Sequence, residues 1–301
     1  MDLWIIATLG AAAAQTLRFA LQKRLKGTGL TSAGATFARF VWSAPLAAGV
    51  ALAWAQASGQ AIPAMSARFW AFALTGGLAQ ILATVCVMAL FSLRNFAVGL
   101  TLKNTEVLLT VPIGLVLLGE GVALAGAIAI GLGFLGVILL SDPPGGSAGA
   151  LWRRVLNPAA ALGLAAGALF AISAVGYRGA SLALGSGDAA LRAATTLAVV
   201  TAFQTVAMTP WLALREPGQI GAVLRDWRVA GLVGLTSMIG SLGWFLAFTL
   251  QNAAYVRALG QVELIFGIGV TALVFREPIR ARELAGMALL GAGALGLILF
   301  V

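Results

Sequence analysis

Apolar residues run through this chain in long unbroken stretches, without the two-residue alternation of a half-buried strand, and short polar or glycine-bearing connections separate them. Ten stretches come close to or exceed the roughly 20 residues that a helix needs to cross a bilayer. They lie at about 3–22, 31–55, 68–91, 96–118, 122–140, 158–180, 188–213, 228–250, 253–275 and 282–300. Continuous runs predict helices and not barrel strands, because each helix satisfies its own backbone hydrogen bonds inside lipid. The linker-like run, Ser141-Asp142-Pro143-Pro144-Gly145-Gly146-Ser147, falls between the fifth and sixth stretches. The pattern therefore predicts an all-α integral membrane protein with ten transmembrane helices. Five belong to residues 1–141 and five to 158–301, joined by a linker over 142–157.

The two halves repeat one another. Phe91-Ser92-Leu93-Arg94-Asn95 aligns with Phe248-Thr249-Leu250-Gln251-Asn252, and the same offset of 157 places Glu106 on Glu263 and Glu120 on Glu277. After a three-residue insertion Leu124-Ala125-Gly126 falls on Leu284-Ala285-Gly286, and glycines 131, 133 and 136 fall on 291, 293 and 296. Because each half holds an odd number of spans, the copies are expected to sit upside down relative to one another, as in alternating-access transporters.

Composition agrees with the membrane reading: 60% of residues are hydrophobic, 10% are charged, and the mean hydropathy is +0.99. Met1-Asp2-Leu3-Trp4 lacks a basic leader, so the first run reads as a retained helix. One cysteine, Cys86, and no histidine exclude an intrachain disulfide and the usual transition-metal sites, and no cofactor is expected. The net charge of +9 does not make a nucleic-acid surface, because the basic residues are spread over the connections. Twelve lie near odd-numbered connections (Lys23, Arg24, Lys26, Arg94, Arg153, Arg154, Arg215, Arg225, Arg228, Arg276, Arg280 and Arg282) and three near even-numbered ones (Arg68, Arg178 and Arg192). The positive-inside rule then puts the odd connections in the cytoplasm and both termini outside. Trp4, Trp54, Trp70, Trp152, Trp211 and Trp227 fall near span ends as an aromatic belt.

Two five-helix halves, each with an acidic residue closing its fourth helix and a fifth helix of the form Leu-Ala-Gly, spaced glycines and an Ile-Leu ending, resemble the EamA-type permeases of the drug/metabolite transporter superfamily. The resemblance implies a basket-like bundle around a central cavity in an inner (plasma) membrane, as monomer or homodimer. It also implies proton-coupled or facilitated export of small metabolites such as amino acids or organic anions. Many ten-helix members have both termini in the cytoplasm, opposite to the charge distribution here. In some organic-phosphate carriers of the superfamily basic residues of the ninth helix hold the anion, and here only Arg257 stands in that helix body.

Candidate chemistry lies where ionisable residues enter the spans, since a charge at mid-bilayer costs at least about 2.5 kcal/mol. Glu106 and Glu263 lie about ten residues into the fourth and ninth runs, and each is a candidate proton carrier or partner for a substrate ammonium; helix-packing hydrogen bonds are the bland alternative. Lys103, one turn before Glu106, either neutralises it or shares with it a pocket for a zwitterion. The position aligned with Lys103 is Gly260, so Glu263 is expected to lack a local cation. Asn104, Thr105 and Thr110 add polar groups, and Pro112 frees a carbonyl. Arg257 and Gln261, four apart, form a candidate anion clamp, with snorkelling of Arg257 to the headgroups as the alternative. Arg18 is expected to snorkel. Arg39, with Gln15 and Trp42, is a candidate for a cavity wall or gate. Gln80 and Gln204 are read first as interhelical hydrogen-bonding groups and second as substrate ligands. The helix bodies hold more cations than carboxylates, which favours a substrate with a carboxylate. The glycines of the fifth and tenth runs follow no strand and read as close-packing surfaces, not nucleotide loops. Two other readings compete with a transporter: a lipid-phosphate flippase on the same fold, and an intramembrane enzyme. The second lacks a histidine, paired aspartates within a span and a serine–lysine dyad.

Overall fold

The computed structural model describes residues 2–94, 96–119, 128, 132, 135–136 and 158–300. Apart from those isolated positions, the fifth apolar run at 122–140 lies outside the described residues, as does the 142–157 linker. All regular structure described is helical, and among the described residues eight helical spans are long and apolar enough to cross a membrane. In chain order they are α1 (Leu3–Lys26), α2 (Ser32–Ser58), α3 (Ala67–Leu93), the pair α4 (Phe96–Lys103) and α5 (Glu106–Leu118), α6 (Pro158–Ala183), α7 (Ala189–Arg215), α9 (Trp227–Leu250), and the pair α10 (Ala253–Leu259) and α11 (Glu263–Val270), which ends in a π-helical turn at Thr271–Phe275. A short helix, α8 (Gln219–Arg225), precedes α9, and α12 (Ala281–Phe300) closes the chain.

The helices start and stop for local reasons. The Thr31 hydroxyl accepts from the Gly34 N–H to cap α2, and the Asp188 carboxylate accepts from Leu191 N–H to cap α7. Lys23, Arg24 and Lys26 fill the last turn of α1, where the helix dipole favours cations.

These boundaries recur at the offset of 157. Lys26 and Ala183 end α1 and α6, Ser32 and Ala189 begin α2 and α7, Ser58 and Arg215 end them, and Leu93 and Leu250 end α3 and α9. The extended residues that follow, Arg94 (φ −137, ψ 160) and Gln251 (φ −139, ψ 160), share one conformation. Gly119 (φ 74) and Arg276 (φ 52) are both left-handed. Glycine adopts that conformation freely, whereas an arginine does so at a cost of about 1 kcal/mol. The correspondence visible in the sequence at 91–140 thus reaches back to residue 26 in the backbone.

Packing follows the same exchange. α1 lies along α9 and α3 along α6, while α2 faces α7 and the α4/α5 span faces α10/α11. Apolar burial drives little association inside lipid, so close contact between helices matters more. At the α3–α6 crossing a Cβ on Gly176 would stand 3.1 Å from Gly76 Cα. The connections sort to two ends. Lys23 pairs with Glu277, Thr28 Oγ1 donates to Asp226, and Thr31 Oγ1 donates to Glu216 at one end. Gln60 and Trp54 donate to Asp188 at the other. The C-terminus of α1 is therefore at the first end and that of α6 at the second, so α1 and α6 run in opposite directions.

Candidate functional site

Two of the spans are interrupted near their middles. α4 stops at Lys103, and the next turn is tightened: Asn104 N donates to Thr101 O at 3.0 Å, Thr105 N to Leu102 O at 3.3 Å and Val107 N to Asn104 O at 3.2 Å. α10 stops at Leu259, and Gly260–Val262 form a 3-10 turn at the corresponding place. The interruption precedes Pro112 by seven residues, and α5 continues through that proline, so the proline does not cause the break. Each break makes a glutamate the first residue of a helix, Glu106 in α5 and Glu263 in α11, where the helix dipole favours a carboxylate. Gly167 of α6 fits against the first break, since any Cβ there would collide with Thr105 Oγ1 and stand 3.0 Å from Glu106 N.

Four charged side chains join these breaks. Lys103 Nζ contacts Glu106 Oε1 at 2.8 Å and Glu263 Oε1 at 2.5 Å, and all three residues are at most 2% exposed. The expected pair within one helix turn is present, but Glu263 does not lack a cation: the first half supplies it across the interface. Gln15 of α1 donates from Nε2 to Glu263 Oε2 at 2.7 Å, and Trp244 of α9 donates to Gln15 Oε1 at 3.1 Å. Arg257 does not snorkel. It is buried, with Nη1 3.3 Å from Glu106 Oε1 and its guanidinium 4.5 Å from the Trp244 ring centre and 5.0 Å from that of Phe248. The carboxylates are thus held by one cation from each half and by the Gln15 amide.

Two further arginines are buried beside this cluster. Arg18 was expected at the headgroups, yet it is 1% exposed, donates from Nη1 to Gln22 Oε1 at 2.7 Å and lies 4.0 Å from the centre of the Phe19 ring; its Nη2 has no hydrogen-bond partner. Snorkelling fails because the side chain points into the bundle, against Gln22, which is itself anchored to Ala35 O. Arg39 is as deep as its place in α2 implied. Its Nε, Nη1 and Nη2 donate to Ser237 Oγ (3.0 Å), Thr84 Oγ1 (3.2 Å) and Ser241 Oγ (3.3 Å). Among the described residues neither Arg18 nor Arg39 forms an ion pair with a carboxylate.

The remaining candidates divide. Gln80 accepts from Tyr177 OH and from Gln204 Nε2, both at 2.9 Å, which is the interhelical bonding read first from the sequence. Asn104 is buried at the break with both side-chain polar atoms unpartnered. Gln261 is not joined to Arg257 as a clamp. It lines an apolar groove of about 520 Å³ with Leu9, Ile265, Leu284 and Met287, while Arg257 turns to Glu106. Trp42 is partly buried with its indole N–H unpartnered, and Gly234 of α9 packs on its backbone. Trp244, Tyr177, Thr84, Ser237 and Ser241 were not singled out from the sequence. Trp244 had a usable signal, a tryptophan in mid-span instead of at a span end. The hydroxyls had none, because serine and threonine in apolar helices commonly bond their own backbone.

No family model and no curated protein matches this chain. Among solved structures, one crystal structure of a protein superposes with a TM-score of 0.60, covering 97% of this chain and 96% of that one at 18% identity. At that identity the likeness shows a shared fold and nothing of function.

Proposed function

We propose that this chain is a secondary transporter of small polar metabolites, working by alternating access between two inverted five-helix repeats of the EamA type. The observation that carries the reading is the pair of mid-span breaks, each followed by a buried glutamate and tied to the other half through Lys103. Interrupted helices at the interface of repeats, with charged groups at the breaks, are a recurring device for binding polar solutes within a membrane. The recurrence of helix ends at one offset and the opposed directions of α1 and α6 support the repeat. An ionisable cluster this deep costs stability without supplying a packed apolar core, so a role in translocation accounts for its presence. The surplus of cations favours amino acids or organic anions as substrates, with Glu106 and Glu263 as exchangeable proton carriers. Basic residues at the odd connections favour an inner (plasma) membrane setting with those connections in the cytoplasm. Among the described residues the buried groups do not offer a nucleophile and base in hydrogen-bonded reach, which disfavours an enzyme. A lipid-phosphate flippase is the second reading, favoured by the groove that Gln261 lines.

The test is efflux. Proteoliposomes loaded with a mixture of amino acids and organic acids are diluted, and the released solutes are identified by mass spectrometry. Loss of a subset faster than from protein-free liposomes is expected; equal loss of every solute overturns the proposal.

A further inference from the structure

The charges buried inside the spans do not balance. Among the described residues, Arg18, Arg39, Lys103 and Arg257 stand against Glu106 and Glu263 alone, each at most 4% exposed. The fifth run, 122–140, contains no ionisable residue that could offset them. The two carboxylates are already held, by Lys103, Arg257 and Gln15. The two positive charges left over belong to Arg18 and Arg39: Arg18 feels the positive charge of Arg39 and, more weakly, the negative charge of Glu263, and every hydrogen bond described above from either arginine goes to a neutral group. An arginine offers five N–H donors. Arg39 directs one from each of its three nitrogens to a hydroxyl, leaving a second N–H on each Nη, and Arg18 Nη2 is buried and unpartnered. Unpaired guanidinium groups in a membrane interior are costly, and an anion that accepts these hydrogen bonds removes the cost.

The collar is built from both halves. Thr84 and Ser241 are related by the offset of 157, and they hold opposite Nη atoms of Arg39, with Ser237 on Nε. Both arginines lie toward the odd-connection end. Arg18 is eight residues from the end of α1 and Arg39 seven from the start of α2, or about 10–12 Å at 1.5 Å per residue.

We infer that Arg18 and Arg39 form an anion site that takes a small dianion, of the dicarboxylate or phosphate-monoester type, one charge for each arginine. This rests on the transporter reading for its purpose but not for its test, which needs only binding.

Purified full-length protein in detergent is melted with disodium succinate, inorganic phosphate, glycerol phosphate, a short-chain phosphatidic acid, or sodium acetate, at constant ionic strength set with sodium chloride. At least one dianion is expected to raise Tm in a saturable way, with acetate and chloride inert. Arg39→Gln is expected to weaken that binding about ten-fold or more, since a charge-assisted fork is lost. Arg39→Lys, which keeps the charge, is the companion variant should Arg39→Gln fail to fold, and it is expected to bind more weakly than wild type because ammonium lacks the planar fork. A response to phosphatidic acid without one to glycerol phosphate keeps the site and assigns it to a lipid phosphate. No response to any dianion, or equal affinity in wild type and both variants, overturns the proposal. Efflux of zwitterions that persists in that case leaves the transporter reading standing and removes only this site.

Discussion

Among the described residues Lys103 is the one cation that touches both mid-span glutamates, so its removal tests how the two halves are held together. Its Nζ lies 2.8 Å from Glu106 Oε1 and 2.5 Å from Glu263 Oε1. The two oxygens are therefore no farther apart than those contacts laid end to end, about 5 Å, and at an effective dielectric of about 20 two negative charges at that spacing repel by roughly 3 kcal/mol. Lys103→Met fills the same space and leaves that repulsion with Arg257 on one side only. The loss expected is about 3–5 kcal/mol, the range for removing one partner of a buried ion pair. Adding Glu263→Gln should recover most of it, because the repulsion disappears and an amide can still meet Gln15. Reversible unfolding in mixed detergent and dodecyl sulfate micelles measures all three proteins. A Lys103→Met protein as stable as wild type, or a double variant no better than the single one, refutes the bridging role.

Arg257→Lys should lose about 1–2 kcal/mol in the same assay, since the flat guanidinium lies over Trp244 and Phe248 and lysine stacks less well; an unchanged midpoint contradicts the buried position. In a Cys86→Ala background, an impermeant thiol reagent added outside whole cells should label Gln60→Cys and spare Thr28→Cys, and a reporter fused after Val301 should report an external C-terminus. The reverse pattern overturns the charge-based orientation. Asp188 lies in the connection between α6 and α7, where the Leu191 N–H, then Gln60, hold its carboxyl below the ordinary range. Its contribution is complete above about pH 4 and is lost as pH falls through the lowered folded value. Asp188→Ala should cost about 1 kcal/mol at pH 7 and flatten the acid limb of the stability profile.

The spans were legible because length and continuity of apolar runs carry the signal. The predicted 31–55 and 158–180 differ from Ser32–Ser58 and Pro158–Ala183 by three residues or fewer at each end. The correspondence between helix ends in the two halves was legible only where identities survive. Thr31 and Asp188 do the same capping with different side chains, and a match of residue types misses them. Which face of each helix looks inward was not legible. In lipid both the exterior and the packed interior are apolar, so periodicity loses the contrast that marks a soluble helix. That is why Arg18 looked like a headgroup anchor and why snorkelling stood as the alternative to a clamp for Arg257. The Lys103–Glu263 contact was hidden for another reason: it joins positions 160 apart, and the aligned residue, Gly260, pointed to an absence.

Alternating access requires the charged cluster to face each side of the membrane in turn. Ser241, 6% exposed and bonded to Arg39, reports on it most directly. In a Cys86→Ala background, Ser241→Cys is treated with an impermeant thiol reagent applied to one face of oriented membranes or to the other. Alternating access predicts labelling from both faces, with a bound dianion slowing each. Labelling from one face only, or from neither, contradicts it.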